Sequence, residues 1–174
     1  QDIGCIQDGP LKIDVQETWA AHHRFHDSWN ERVATEVAAM KEAAPTLILA
    51  DIPYLAIEAG ARAGIQTVAL ANLTWDIVLK EYSQTSDSSQ QRLLQCIRES
   101  YAKTSLALRI TPAPTFDAFA ASLDVGPICS PALPAREKLA SALGLAPDER
   151  TVLVGFGGIP LASLPFEQIQ QLRP

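Results

Sequence analysis

The stretch PTLILADIPYLAIEAGARAGIQTVAL, residues 45–70, decides the fold. Thr46-Leu47-Ile48-Leu49-Ala50 is a short continuous apolar run, the signature of a buried strand. Asp51-Ile52-Pro53 breaks it, a helix rich in small residues follows from Tyr54 to Ala63, and Gly64 stops that helix. Thr67-Val68-Ala69-Leu70 is a second apolar strand. Two strands buried on both faces and joined by one helix imply parallel pairing through a right-handed crossover. The expected class is therefore α/β, with a doubly wound, Rossmann-like parallel sheet.

Upstream, Val15, Trp19, His22, His26, Trp29, Val33, Val37 and Met40 recur at three- and four-residue steps, which predicts one helix from Asp14 to Ala44. Asp14 with Glu17 three residues on resembles a capping box, and Ala44-Pro45 ends the run because proline disfavours a helical residue before it. Downstream, helices are expected over Leu73–Tyr82 and from the end of the polar break Ser83–Ser89 to about Lys103. Leu106–Ile110 resumes the sheet. Thr111-Pro112-Ala113-Pro114-Thr115 is a proline-rich turn, and Gly126 to Pro134 has the composition of an interdomain linker.

Past the linker, Ala135–Leu143 predicts a helix closed by Gly144, Thr151–Phe156 a buried strand, and Ser163–Leu172 one more helix. A lone strand between two helices cannot form a sheet. The expected organisation is thus residues 1–130 as one Rossmann-like domain and 131–174 as a linker and the start of a second. Gln1 is not an initiator Met, so the chain is expected to be an internal piece, truncated at both ends, and an unpaired sheet edge would favour self-association.

The 174 residues carry 47% hydrophobic and 20% charged residues, a globular composition. A net charge of −6 without any Lys/Arg cluster argues against a nucleic-acid surface. Cys5, Cys96 and Cys129 are widely spaced and form neither a disulfide framework nor a zinc knuckle, which fits a reducing, cytoplasmic setting. No run approaches the roughly 20 apolar residues of a membrane span.

Ligands of open parallel sheets bind beyond the carboxyl ends of the strands. Three loops lie there. Asp51, directly after a strand, is placed to accept from a sugar hydroxyl or to act as a base, or alternatively to cap the Tyr54 helix. Asn72, Thr74, Trp75 and Asp76 crowd polar groups and one large ring into five residues, which suits a polyhydroxylated ligand; the alternative makes Thr74 a cap and Trp75 a core anchor. Gly155, Gly157 and Gly158 would let backbone approach a phosphate, or serve a plain tight turn. His22 and His26 have the spacing of two metal ligands but no third, so packing on a helix face competes, and His23 reads as solvent-facing. No metal is expected. Nucleophile-elbow, kinase and P-loop signatures are absent.

Asp51-Ile52-Pro53, Ala63-Gly64-Ile65 and Asn72-x-Thr74-Trp75-Asp76 with Tyr82 together resemble the acceptor domain of bacterial GT-B glycosyltransferase-like proteins. The front segment Asp2-Ile3-Gly4-Cys5-Ile6-Gln7 with Ile13-Asp14 is similar to the same group, including the front half of arabinokinase-like proteins. Gly126-Pro127-Ile128, Arg136, Leu143-Gly144-Leu145 and Val152–Gly158 resemble the GT-B crossover between domains. The resemblance implies transfer of a sugar from a nucleotide-diphosphate sugar, a substrate rather than a cofactor, to an acceptor held by Asp51, Asn72, Thr74, Trp75 and Asp76. Gly155, Gly157 and Gly158 would border the donor phosphates. The family's first strand and its Gly/His-rich loop have no counterpart here, which leaves Asp51 and Asp76 as the nearest candidates for a base. A sugar-nucleotide hydrolase or epimerase of the same plan, or a non-catalytic sugar-binding module, would share these features.

Overall fold

The computed structural model describes residues 3–9, 12–146, 149–153 and 167–168. The chain forms two compact units, Gln1–Ile6 with Asp14–Ile128 and Gln7–Ile13 with Cys129–Pro174.

In the first unit, helices α1 (Val15–Asp27) and α2 (Trp29–Ala43) precede strand β1 (Ile48–Ala50), helix α3 (Tyr54–Ala63) and strand β2 (Thr67–Ala71). Then come helices α4 (Trp75–Lys80) and α5 (Ser88–Tyr101) and strands β3 (Leu106–Ile110) and β4 (Ser122–Val125). The strands form one sheet in the order β1-β2-β3-β4, parallel throughout, with Ala50 opposite Ala69, Ala71 opposite Arg109 and Ile110 opposite Val125. This is the α/β, Rossmann-like class expected from residues 45–70.

Local chemistry accounts for most boundaries. The Asp14 carboxylate accepts from the Glu17 N–H at 2.9 Å, capping α1, while Glu17 pairs with Arg24 instead of reaching back. Ala44 closes α2 in the left-handed region at φ 46°, and Gly64 closes α3 at φ 74°. The predicted single helix over 14–44 is broken at Ser28, whose φ of −112° and ψ of 30° leave the helical region. Asp27 and Ser28 are residues whose short polar side chains compete with helical backbone bonding. The break lets α1 pack on α5 while α2 lies against α3.

Helix α3 sits unusually close to the sheet. A Cβ on Gly60 would stand 2.6 Å from Thr67 Cγ2 and 2.7 Å from Ile48 Cδ1, so only glycine admits this approach. On β2, burial alternates: Thr67, Ala69 and Ala71 are buried, and Val68 and Leu70 only partly. Helix α3 touches both β1 and β2 and packs against α2 and α5. On the sheet, Leu49 is 60% exposed and Leu123 57%. The sheet is flanked by helices, and among the described strand residues burial is uneven, with Thr67, Ala69 and Ala71 buried while Leu49 and Leu123 stand exposed. The core gathers Trp19, Phe25, Val33, Tyr54, Ile57, Leu79, Leu93, Ile97, Tyr101 and Phe119.

Strand β4 was not legible, being short and polar; Arg109 fixes it with a two-pronged ion pair to Asp124, Nε to Oδ1 at 2.6 Å and Nη2 to Oδ2 at 2.8 Å.

In the second unit, helix α6 (Arg136–Leu143) closes at Gly144 with φ 66°. Of the strand expected over 151–156, the described residues Thr151–Leu153 adopt no regular structure, and Leu153 is 96% exposed. Val154 to Phe156 and most of the helix expected over 163–172 lie outside the described residues; Glu167 and Gln168 are helical.

Candidate functional site

The carboxyl ends of β1 and β2 lie side by side, and the loops that leave them carry the candidate residues. Asp51 is exposed. It does not cap α3, whose cap position belongs to Pro53 without any side-chain bond. Between them Ile52 occupies the left-handed region at φ 57°, where a β-branched residue is strained by about 1–3 kcal/mol. The surroundings hold that conformation: the Tyr101 hydroxyl on α5 donates to the Ile52 carbonyl at 2.8 Å, and Tyr101 Oη accepts from the Trp75 backbone N–H at 3.2 Å. One buried phenol thus ties the loop after β1 to the first turn of α4.

After β2, Asn72 is exposed, whereas Thr74 is fully buried. Thr74 holds the cap position of α4 through its backbone only; its carbonyl accepts from the Val78 N–H at 3.1 Å, and its hydroxyl has no partner. Trp75 is half-buried. Its ring lies over Gly4, where a Cβ would meet Trp75 Cη2 at 3.2 Å, and its indole N–H has no partner.

Asp76 goes elsewhere. Only 3% exposed, it pairs through Oδ2 with Arg98 Nη1 on α5 at 2.8 Å and leaves Oδ1 buried without a partner. It lines a cleft between α4 and α5, apart from the strand-end loops. The residues crowded into 72–76 therefore divide, because successive helical positions point about 100° apart. Asp51 and Asn72 stand in solvent at the strand ends, Trp75 packs on the front segment, and Asp76 faces α5. The predicted phosphate-binding Gly155, Gly157 and Gly158 lie outside the described residues.

The histidines on α1 separate similarly. His22 is fully buried with neither ring nitrogen hydrogen-bonded, and burial pushes its pKa down to about 4, helped by neighbouring His26. The Gly4 backbone approaches the ring and favours its charged form, but without hydrogen-bond geometry, and burial wins. His26 stacks on Trp29 with centroids 4.8 Å apart and meets the Tyr54 hydroxyl at 3.2 Å; burial, then His23, lowers its pKa to about 4 as well. His23, expected in solvent, is partly buried, with Nε2 at 3.4 Å from Ser89 Oγ. Among the described residues no group of His, Cys, Asp or Glu is arranged to hold a metal ion. The described cysteines Cys5, Cys96 and Cys129 are free thiols, and no described helix is long and apolar enough to cross a membrane.

Sequence reasoning missed Tyr101, Arg98 and Glu58. Tyr101 shares helical spacing with Leu94 and Ile97, a pattern that marks a helix face and not a hydroxyl with two backbone partners. Glu58 is a buried carboxylate on α3, held by Arg62 at 2.8 Å, by Lys103 and by the Ser100 hydroxyl at 3.1 Å. Burial pushes its pKa up, but these partners together bring it below the ordinary carboxylate value.

No protein-family model matches the chain, and no solved structure matches it. Among curated proteins, L-arabinokinase of Arabidopsis thaliana is 27% identical over 163 residues, which covers 91% of this chain and 15% of that protein. The chain therefore spans under a sixth of the relative's length, and the two are distantly related along nearly all of the present chain.

Proposed function

We propose that this chain is the sugar-recognising, acceptor-side part of a sugar-modifying enzyme, with the loops after β1 and β2 as its ligand edge. The observation that supports it most is the relation to a protein named for acting on a sugar, extending over 91% of the chain. Exposed Asp51 and Asn72 at adjacent strand ends, backed by a braced loop, are of the type that accepts from and donates to sugar hydroxyls.

Within that reading, the first assignment is glycosyl transfer. An acceptor hydroxyl at the strand ends would give its proton to Asp51, the exposed carboxylate there, as its oxygen bonds the anomeric carbon of a nucleotide-sugar donor and the nucleoside diphosphate leaves that carbon. Asp76, being buried and paired with Arg98, is the weaker base. The relative's name favours a second assignment, in which the same sugar-binding part serves a sugar kinase whose ATP site lies in other segments.

Thermal unfolding of the longest native form of the protein separates these assignments, since a ligand that favours the native state raises stability by mass action. Stabilisation by uridine- or guanosine-diphosphate sugars supports transfer. Stabilisation by ATP and a free sugar, with no response to any nucleotide-sugar, would replace transfer by the kinase assignment.

A further inference from the structure

We propose that the cleft between α4 and α5 is a second saccharide-binding site, one that takes a neutral polyol. It is distinct from the strand-end loops and does not rest on the function proposed above.

The cleft has a volume of about 260 Å³ and is lined by Asp76, Lys80, Gln91, Gln95, Arg98 and Asp117 with a single apolar residue, Leu94. A neighbouring depression of about 230 Å³ shares Gln95, Arg98 and Asp117. Side by side they reach the scale of small-molecule clefts, roughly 300–1,000 Å³. One residue in the lining is anomalous. Asp76 is 3% exposed, yet only one of its oxygens is paired, with Arg98, and the other is buried without any partner. A carboxylate oxygen withdrawn from water needs a donor, and lacking one costs on the order of 1–3 kcal/mol or more.

Charge balance selects the ligand. Lys80 and Arg98 oppose Asp76 and Asp117 in the cleft, and the only further charged residue lining the adjoining depression is Glu99, so the lining has no positive excess to attract a phosphate. Gln91 Nε2 donates to the Gln84 carbonyl at 3.0 Å and Gln95 Nε2 to Glu99 Oε1 at 2.9 Å, which leaves both amide oxygens as acceptors. Acceptors at Asp76, Asp117 and the two amides, with donors at Lys80 and the spare guanidinium N–H groups of Arg98, match vicinal hydroxyls, each of which is donor and acceptor at once. The half-exposed Arg98 can shift to admit a hydroxyl to Asp76 Oδ1. The scarcity of apolar lining disfavours a lipid or an aromatic ligand.

Calorimetric titration of the 174-residue chain tests this with L-arabinose and D-glucose as neutral probes and with inorganic phosphate and magnesium chloride as charged ones. We expect saturable binding of at least one sugar with a Kd in the range of about 1–10 mM, weakened about tenfold or more by Lys80→Ala or Gln95→Ala. Both positions are exposed, so their variants should melt with the parent. Lys41→Ala, exposed on α2 and part of neither proposed site, should leave the affinity unchanged. Absence of heat with either sugar, preference for phosphate or magnesium, or loss of binding in Asn72→Ala but not in Lys80→Ala and Gln95→Ala would overturn the proposal. The Asn72→Ala outcome would still leave the strand-end reading standing.

Discussion

The Tyr101 hydroxyl donates to the Ile52 carbonyl at 2.8 Å and so bridges the last turn of α5 to a strained residue that lies between the candidate ligand group Asp51 and the start of α3 at Pro53. Strain of this kind persists only where surrounding bonds over-determine it. Tyr101→Phe keeps the ring and deletes the bridge, leaving the Ile52 carbonyl without its donor. Equilibrium denaturation should show a loss of about 1–3 kcal/mol. A loss below about 0.5 kcal/mol would mean that the bond does not hold the loop.

Thr74 provides a test of opposite sign. Were its hydroxyl a helix cap, removing it would cost about 1 kcal/mol. Because that hydroxyl is buried and unpartnered, Thr74→Val should be neutral or stabilising in the ligand-free chain. Clear destabilisation in the same denaturation experiment would restore the capping role.

Gly60→Ala would gain about 1 kcal/mol of helix propensity at an exposed site. Here the new methyl meets Thr67 and Ile48 under 3 Å, so overpacking of about 1–3 kcal/mol should dominate and the melting temperature should fall. A rise in melting temperature would show that α3 does not lie as close to β1 and β2 as described.

Acid should loosen the first unit before its carboxylates titrate. Fully buried His22 and half-buried His26 have pKa values lowered to about 4, against 6.5 for the free ring, so the unfolded chain binds protons that the folded one refuses. Their contribution to stability is full above about pH 6.5 and is lost as pH falls towards 4, by up to about 1.4 kcal/mol per pH unit for each ring. His22→Leu should flatten this slope. A pH-independent stability across that window would contradict the burial of His22 and the partial burial of His26.

Much of the α/β fold was legible because its markers are local. Gly64 and Ala44-Pro45 end helices through backbone geometry, and the apolar runs at 46–50, 67–70 and 106–110 fall where strands form. The break at Ser28 was hidden because Trp29, Val33 and Val37 keep a helical period across it, and the competition of the Asp27 and Ser28 side chains for backbone bonds leaves no mark on that period. The strand ends were correctly placed as loops, but residues 72–76 could not be seen to diverge, since Arg98, which draws Asp76 away, is 22 residues distant. Tyr101 and Glu58 make their bonds across long sequence separations, which a helical period does not report.

The most direct test of sugar recognition at the strand ends is an amide-resolved NMR titration of the 174-residue chain with L-arabinose. Saturating shifts at Asp51, Ile52 and Asn72, abolished in the Asp51→Ala/Asn72→Ala double variant, are the predicted result. Shifts absent from these residues at every sugar concentration, for L-arabinose and for D-glucose alike, would contradict it.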